Sequence, residues 1–220
     1  MIATVSKLGK TMKGVNVMCI AVMIGCVMGI PSPQPPPLPQ RCCMAPQFSA
    51  MLTDLKTLNS NDGIGLREVI LDFDRQMEAV RVGVFRPGGG TFNKDRVIMD
   101  FSKGTMYTIS GEHDSNCVRT SMTWPMPPKC IPDDAAYLGS TYLGPVNALP
   151  YDGWKFIYPG TKANLTMAFS TTGCVPIVEG LYGQLGSDLT ADYVFLFTSY
   201  EPSIGNPAVF DIPKSCAQSP

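Results

Sequence analysis

The chain of 220 residues has one histidine, His113, and that scarcity narrows its chemistry at once. Any triad that moves a proton through imidazole would have to use it. It sits in the polar run Gly111-Glu112-His113-Asp114-Ser115-Asn116, which reads as an exposed turn between two strands. There is no Gly-x-Ser-x-Gly elbow and no His-Glu-x-x-His helix, so serine-hydrolase and metalloprotease chemistry lack their usual supports. No Cys-x-x-Cys pair is present, which argues against a thiolate zinc site. A run of Lys and Arg able to neutralise a phosphate backbone is also missing, so nucleic acid is excluded as an expected partner. The reading is of a protein that is not an enzyme.

Long helical periodicity is equally scarce. The best helical candidate, Met51, Leu55 and Leu58, is cut off by Asn59 to Gly63. No internal repeat is evident, and beyond residue 30 no apolar run is long enough to cross a bilayer, which takes ~20 residues.

What is present begins with a leader. Lys7, Lys10 and Lys13 precede an apolar run from Val15 to Ile30, the pattern of a secretory signal peptide over residues 1–30, with cleavage expected near Gly29. Residues 31–41, opening Pro-Ser-Pro-Gln-Pro-Pro-Pro-Leu-Pro, favour an extended polyproline linker. Residues 42–220 are then read as a single β domain. Without the leader the chain keeps 14 basic against 18 acidic side chains, a net charge of −4. Six of the eight cysteines also remain: Cys42, Cys43, Cys117, Cys130, Cys174 and Cys216. An even number in an exported chain predicts three disulfides, with 15 pairings open. The expected location is extracellular.

The body of the chain alternates with a period of two. Val80, Val82 and Val84 share a face, as do Val97, Met99 and Phe101, then Val118, Thr120, Met122 and Trp124, then Leu165, Met167 and Phe169. Each is the signature of a half-buried strand. Ser102-Lys103-Gly104 supplies a tight turn into Thr105 to Ile109, predicting a hairpin. Only Asp192 to Ser199 is apolar at successive positions, as expected of a strand covered on both faces. The 41 Gly and Pro residues punctuate the chain at strand-like intervals. The class predicted is all-β, an antiparallel sandwich or open barrel.

Three kinds of site follow. Val97, Met99, Phe101, Trp124, Trp154, Phe156, Phe169 and Phe195 are candidates to line a pocket for a lipid or other apolar ligand, with a filled core as the alternative use of the same residues. Asp133 and Asp134, beside Pro132, are the choice for a weak calcium site, although the EF-hand spacing is absent. Asn164-Leu165-Thr166 is the one sequon, and Asn164 falls opposite Leu165, Met167 and Phe169, the polar face a glycan requires.

Five segments in order resemble the ependymin and ependymin-related proteins, secreted glycoproteins of animals. They are Cys43-Met44-Ala45-Pro46-Gln47, Asp100-Phe101-Ser102-Lys103-Gly104-Thr105-Met106-Tyr107 with Cys117 after it, Ile131-Pro132-Asp133-Asp134-Ala135, Cys174-Val175-Pro176-Ile177-Val178-Glu179-Gly180-Leu181-Tyr182-Gly183, and Pro207-Ala208-Val209-Phe210-Asp211-Ile212-Pro213-Lys214-Ser215-Cys216. The resemblance implies two antiparallel sheets curved around a deep apolar pocket, similar to bacterial lipoprotein carriers, and commonly a homodimer. It implies bridges from Cys43 to Cys174 and from Cys117 to Cys216, which leaves Cys42 to pair with Cys130. It further implies association with calcium, lipids, extracellular matrix and cell adhesion. A matrix or adhesion protein without a ligand pocket is therefore the rival to an apolar-ligand carrier.

Overall fold

The computed structural model describes residues 38–217 except 59, 60, 62, 87, 88 and 188. The signal peptide and most of the proline-rich linker lie outside the described residues. No helix among the described residues is long and apolar enough to cross a membrane.

Eleven strands form one antiparallel sheet that does not close. They are β1 (Gln47–Asp54), β2 (Ile64–Asp72), β3 (Met77–Arg86), β4 (Gly89–Asp100), β5 (Thr105–Ser110), β6 (Asn116–Ser121), β7 (Ala136–Leu143), β8 (Leu149–Ile157), β9 (Asn164–Ser170), β10 (Pro176–Gln184) and β11 (Thr190–Glu201). The order β6-β5-β4-β3-β2-β1-β11-β10-β9-β8-β7 resolves into two meanders, β1 to β6 and β7 to β11. The all-β antiparallel class is as predicted. The two sheets implied by the resemblance are these two meanders, joined into one sheet where Leu52 pairs with Phe197 and Asp54 with Phe195.

The alternating segments became β3, β4, β6 and β9, and the predicted hairpin is β4–β5. Its turn depends on Asp100, 3% exposed, whose carboxylate accepts hydrogen bonds from Ser102 Oγ at 2.6 Å, Lys103 N at 3.1 Å and Lys103 Nζ at 2.7 Å. Burial alone would raise the Asp100 pKa, but these partners outweigh it and hold the carboxyl below its ordinary value. Gly104 closes the turn at φ +58°, a conformation that costs glycine little.

Three local expectations need correction. Met51, Leu55 and Leu58 do not form an α-helix: β1 runs on to Asp54 because it is paired on both sides, and a single 3-10 turn follows, capped by Asp54 Oδ1 accepting from Lys56 N at 3.0 Å. The strand predicted through Trp124 stops at Ser121, where Met122 N turns back to donate to Gly104 O and Pro125 follows. The apolar run in β11 is sealed on its inner face at Phe195, 2% exposed, while Val194 and Leu196 are only half-buried.

The faces of the sheet are covered differently. On one side of the first meander, Ala79, Ile98, Tyr107 and Ile109 pack against Phe210 and Cys216 of the C-terminal segment. On the other side, Phe48, Val69, Leu71, Leu165, Phe169 and Phe195 belong to the larger core. Residues 122–135 connect the edge strand β6 to the opposite edge strand β7 and contribute Ile131 and Trp124 to that core. We call this segment the strap.

Disulfides hold the strap and the termini. Cys117 joins Cys216, as the resemblance implied. The other two bridges exchange partners relative to expectation: Cys42 joins Cys174 and Cys43 joins Cys130. The backbone explains the exchange. Cys43 and Cys130 are directly opposed in an antiparallel bridge, flanked by Ile131 N donating to Cys42 O and Met44 N to Lys129 O. Successive side chains in extended backbone point to opposite sides, so Cys42 faces away from Cys130 and toward Cys174.

Candidate functional site

The inner face of the sheet and the strap enclose a cavity of about 440 Å³. The strand period places its walls. Phe48 and Leu52 come from β1, Val69 and Leu71 from β2, and Phe195 and Phe197 from β11. Trp124, Pro127, Pro128 and Ile131 supply the strap side. Four prolines in the strap (Pro125, Pro127, Pro128 and Pro132) each fix φ and remove a donor, which suits a segment crossing an apolar space with a short ladder contact at Lys129 to Ile131. Tyr158 anchors it, donating from its hydroxyl to Pro125 O at 2.7 Å.

Six of the eight predicted pocket residues border this cavity: Met99, Phe101, Trp124, Phe156, Phe169 and Phe195. Val97 and Trp154 fall outside the lining. Val97 stands opposite Val80 and Thr108 in the ladder. Trp154 is 2% exposed, with its ring 5.2 Å from that of Tyr137 and the Arg41 guanidinium 5.8 Å from its centroid. It is packed core, as the alternative reading allowed.

The sequence reading missed the polar pole of the pocket. Arg67 on β2, Glu78 on β3, Glu179 on β10 and Tyr193 on β11 all border the cavity, as does Tyr158 just after β8. Tyr193 donates its hydroxyl to Glu179 Oε1 at 2.9 Å. The Arg67 guanidinium lies 4.5 Å from the Phe195 ring centroid and 5.8 Å from that of Tyr193, a cation–π geometry. Burial pushes the Glu78 carboxyl up to about 8, the Glu179 charge adds to the effect, and Arg67 opposes it. Burial raises Glu179 as well, against the Tyr193 hydrogen bond and Arg67. The Tyr158 and Tyr193 hydroxyls are raised by the same burial, which keeps both protonated donors.

A signal for these residues existed in the pattern. Glu78 has the parity of Val80, which borders the cavity from β3, and Glu179 has the parity of the buried Leu181. A carboxylate at an inward position is costly unless it is partnered or protonated, which marks it as more than a solvated charge.

The remaining candidates lie elsewhere. Asp133 and Asp134 occupy a turn before β7, where Arg41 Nη2 donates to Asp133 O at 2.5 Å and Nη1 approaches the Asp133 carboxylate at 4.0 Å. Among the described residues no three His, Cys, Asp or Glu side chains are grouped to hold a metal ion. Asn164 opens β9, half-buried, opposite Ile157 and Tyr182. His113 is exposed in a short turn at φ +55° and does not border the pocket.

Comparison with known proteins gives one consistent family. The family model described as Ependymin matches residues 91–216, from β4 to the last half-cystine. Ependymin of Notemigonus crysoleucas and Ependymin-2 of Carassius auratus are each 25% identical over 124 residues, which is 54% of this chain and 55% of either relative. The chain thus spans about half the length of these curated relatives. Among solved structures, an uncharacterized conserved protein from Thermus thermophilus covers 78% of this chain and 88% of its own at 9% identity, with a TM-score of 0.46, a likeness too loose to bear on function. Glu179 and Tyr193 fall inside the matched region, whereas Arg67 and Glu78 precede it.

Proposed function

This chain belongs to the ependymin family, and from the cavity that its sheet encloses we propose that it is a secreted, non-enzymatic protein that holds an apolar ligand between the sheet and the strap. Family membership and three disulfides fit a secreted, disulfide-bonded protein. The observation that carries the ligand reading is the cavity itself. At about 440 Å³ it falls within the range of ~300–1,000 Å³ usual for small-molecule pockets, and a wall of apolar side chains with a few convergent polar groups is what such sites present. A core of this composition would ordinarily be close-packed, with few voids larger than a water molecule.

The test is native mass spectrometry of the protein secreted from animal cells. The expected result is a co-purifying apolar mass that leaves on denaturation. A bare polypeptide mass in every preparation, together with failure to bind an apolar fluorescent probe, overturns the reading. In the same samples, a mass shift on enzymatic deglycosylation tests the proposed glycan at Asn164, and titration with calcium tests the proposed site at Asp133 and Asp134.

A surface-contact reading has its own support. Leu138, Tyr142, Leu143, Val146 and Leu149, on and between β7 and β8, are 56%, 42%, 47%, 72% and 39% exposed. An apolar group of this kind on an edge strand suits association, and a homodimer through β7 is the proposal. Sedimentation of wild type against Val146→Lys decides it: the wild type is expected as a dimer and the variant as a monomer, whereas a monomeric wild type overturns the proposal.

A further inference from the structure

We propose that the pocket selects an apolar ligand with a cationic amine head over the matching carboxylate, the head seating against Glu78 and Glu179. This rests on the pocket reading above and specifies the chemistry of its occupant. The charges bordering the cavity are unbalanced: Asp54, Glu78, Glu179 and Asp192 are acidic, and Arg67 is the one base among the described lining residues. Asp192 is already ion-paired to Lys56, and Asp54 caps the backbone of Lys56. The inner set is therefore two carboxyls and one guanidinium. Arg67 offsets one acid, and Tyr193 supplies a hydrogen bond to Glu179 alone. No described residue donates a hydrogen bond to the Glu78 carboxyl.

Every element around the pocket bears on this charge count. β2 brings Arg67, β3 Glu78, β10 Glu179, β1 Asp54, β11 Asp192 and Tyr193, and the turn after β8 Tyr158, while the lining residues of β4, β9 and the strap carry no ionisable side chain. Where Glu78 is ionised, toward pH 8 and above, a fatty-acid head would add a third carboxylate beside one guanidinium, and like charges repel. An ammonium head supplies the missing cation and three donors, with the chain lying along the apolar wall. With Glu78 raised to about 8 by burial, the empty pocket carries a proton on this carboxyl at neutral pH. Binding of R-NH3+ to the protonated site forms the ammonium–carboxylate pair and releases that proton to solvent. Affinity for the amine then increases as pH rises toward 8, by up to about tenfold per pH unit while Glu78 is protonated.

Isothermal titration calorimetry of the secreted, disulfide-bonded chain with decylamine, decanol and decanoate at pH 6, 7 and 8 tests this. At pH 8 the expected order is decylamine above decanol above decanoate. Decylamine affinity is expected to gain at least about tenfold from pH 6 to 8, with proton release visible in buffers of different ionisation heat. In Glu78→Gln the amine loses its advantage over decanol and its pH slope, and Glu179→Gln reduces both. Decanoate binding as tightly as decylamine at pH 8, or an amine affinity flat with pH in the wild type, overturns the inference while leaving the pocket reading in place. If none of the three ligands binds, both fail. The wild-type pH series decides the matter even where a variant does not fold.

Discussion

Tyr193 donates its hydroxyl to Glu179 Oε1 at 2.9 Å across the β10–β11 ladder, where Glu179 pairs directly with Phe195 and Tyr193 with Leu181. A hydrogen bond to a buried ionised group contributes roughly 1.5–3 kcal/mol. Tyr193→Phe keeps the ring beside Arg67 and removes only that donor. Urea denaturation under non-reducing conditions at pH 8 is expected to show a loss of about 2 kcal/mol. The loss is expected to be smaller at pH 5 than at pH 8, because burial raises the Glu179 pKa and a protonated carboxyl accepts a weaker, uncharged bond. An identical loss at both pH values would mean that the carboxylate does not carry the interaction.

The exchanged bridges predict which thiol is freed by substitution. In Cys174→Ser, alkylation in acid followed by peptide fragmentation between residues 42 and 43 is expected to place the label on Cys42, with Cys43 still linked to Cys130. A label on Cys43 would restore the pairing implied by the family resemblance. The bridge from Cys42 to Cys174 spans a sequence separation of 132, worth about 5 kcal/mol in the chain-entropy treatment of a loop of that length. The variant is therefore expected to melt well below the wild type.

Asp100 gives a prediction of opposite pH sign to those of the pocket. Its folded pKa lies below the ordinary 3.8 because Lys103 and Ser102 stabilise the charged form despite burial. The stability it contributes is present above pH ~4 and is lost as pH falls through the folded value. Asp100→Ala is expected to cost about 2–3 kcal/mol at pH 7, and the difference is expected to narrow as pH falls below the ordinary carboxyl value of 3.8. A constant difference throughout that acid range would show that the turn depends on the shape of this side chain and not on its charge.

The same distinction between local and distant determinants explains what the sequence disclosed. Strand parity is local, so Met99, Phe101 and Phe169 were legible as sharing one face with their alternating neighbours, whereas Phe156 and Phe195 were singled out as large aromatics without a parity to place them. Trp124 reached the pocket by another route, since its strand ends at Ser121 and the strap carries it inward. Trp154 is a large aromatic of the same kind, but whether an inward aromatic borders a void or fills a core is decided by its neighbours. Here Tyr137 and Arg41 close over it. Parity marked Glu78 and Glu179 singly as inward acids but not as a pair: they are 101 positions apart in the chain, and only the pairing of β1 with β11 brings their charges within reach of each other. The joining of two meanders into one sheet rests on that same long-range pairing. Cys42 and Cys43 could not be told apart by spacing, because the choice between them is set by which one stands opposite Cys130.

Glu78 should make the ligand-free protein less stable as pH rises. Its ordinary pKa of 4.5 is pushed up to about 8 on folding, so between these values the folded state holds a proton that the unfolded chain has released. Stability therefore falls with rising pH across that window and levels off above it, the reverse of the Asp100 case. Each tenfold difference in proton affinity between the folded and unfolded chain corresponds to ~1.4 kcal/mol at the limit, but Glu78 borders a cavity that admits some screening. A realised difference of about 2 kcal/mol between pH 5 and pH 8 is the reasonable expectation. Glutamine cannot titrate, so Glu78→Gln is expected to flatten this slope and to gain on the wild type by that amount at pH 8. Subtracting one protein from the other cancels the groups they share. Parallel curves for the two from pH 5 to pH 8 would mean that the Glu78 carboxyl is solvated in the empty pocket, and the proton release expected on amine binding would vanish with it.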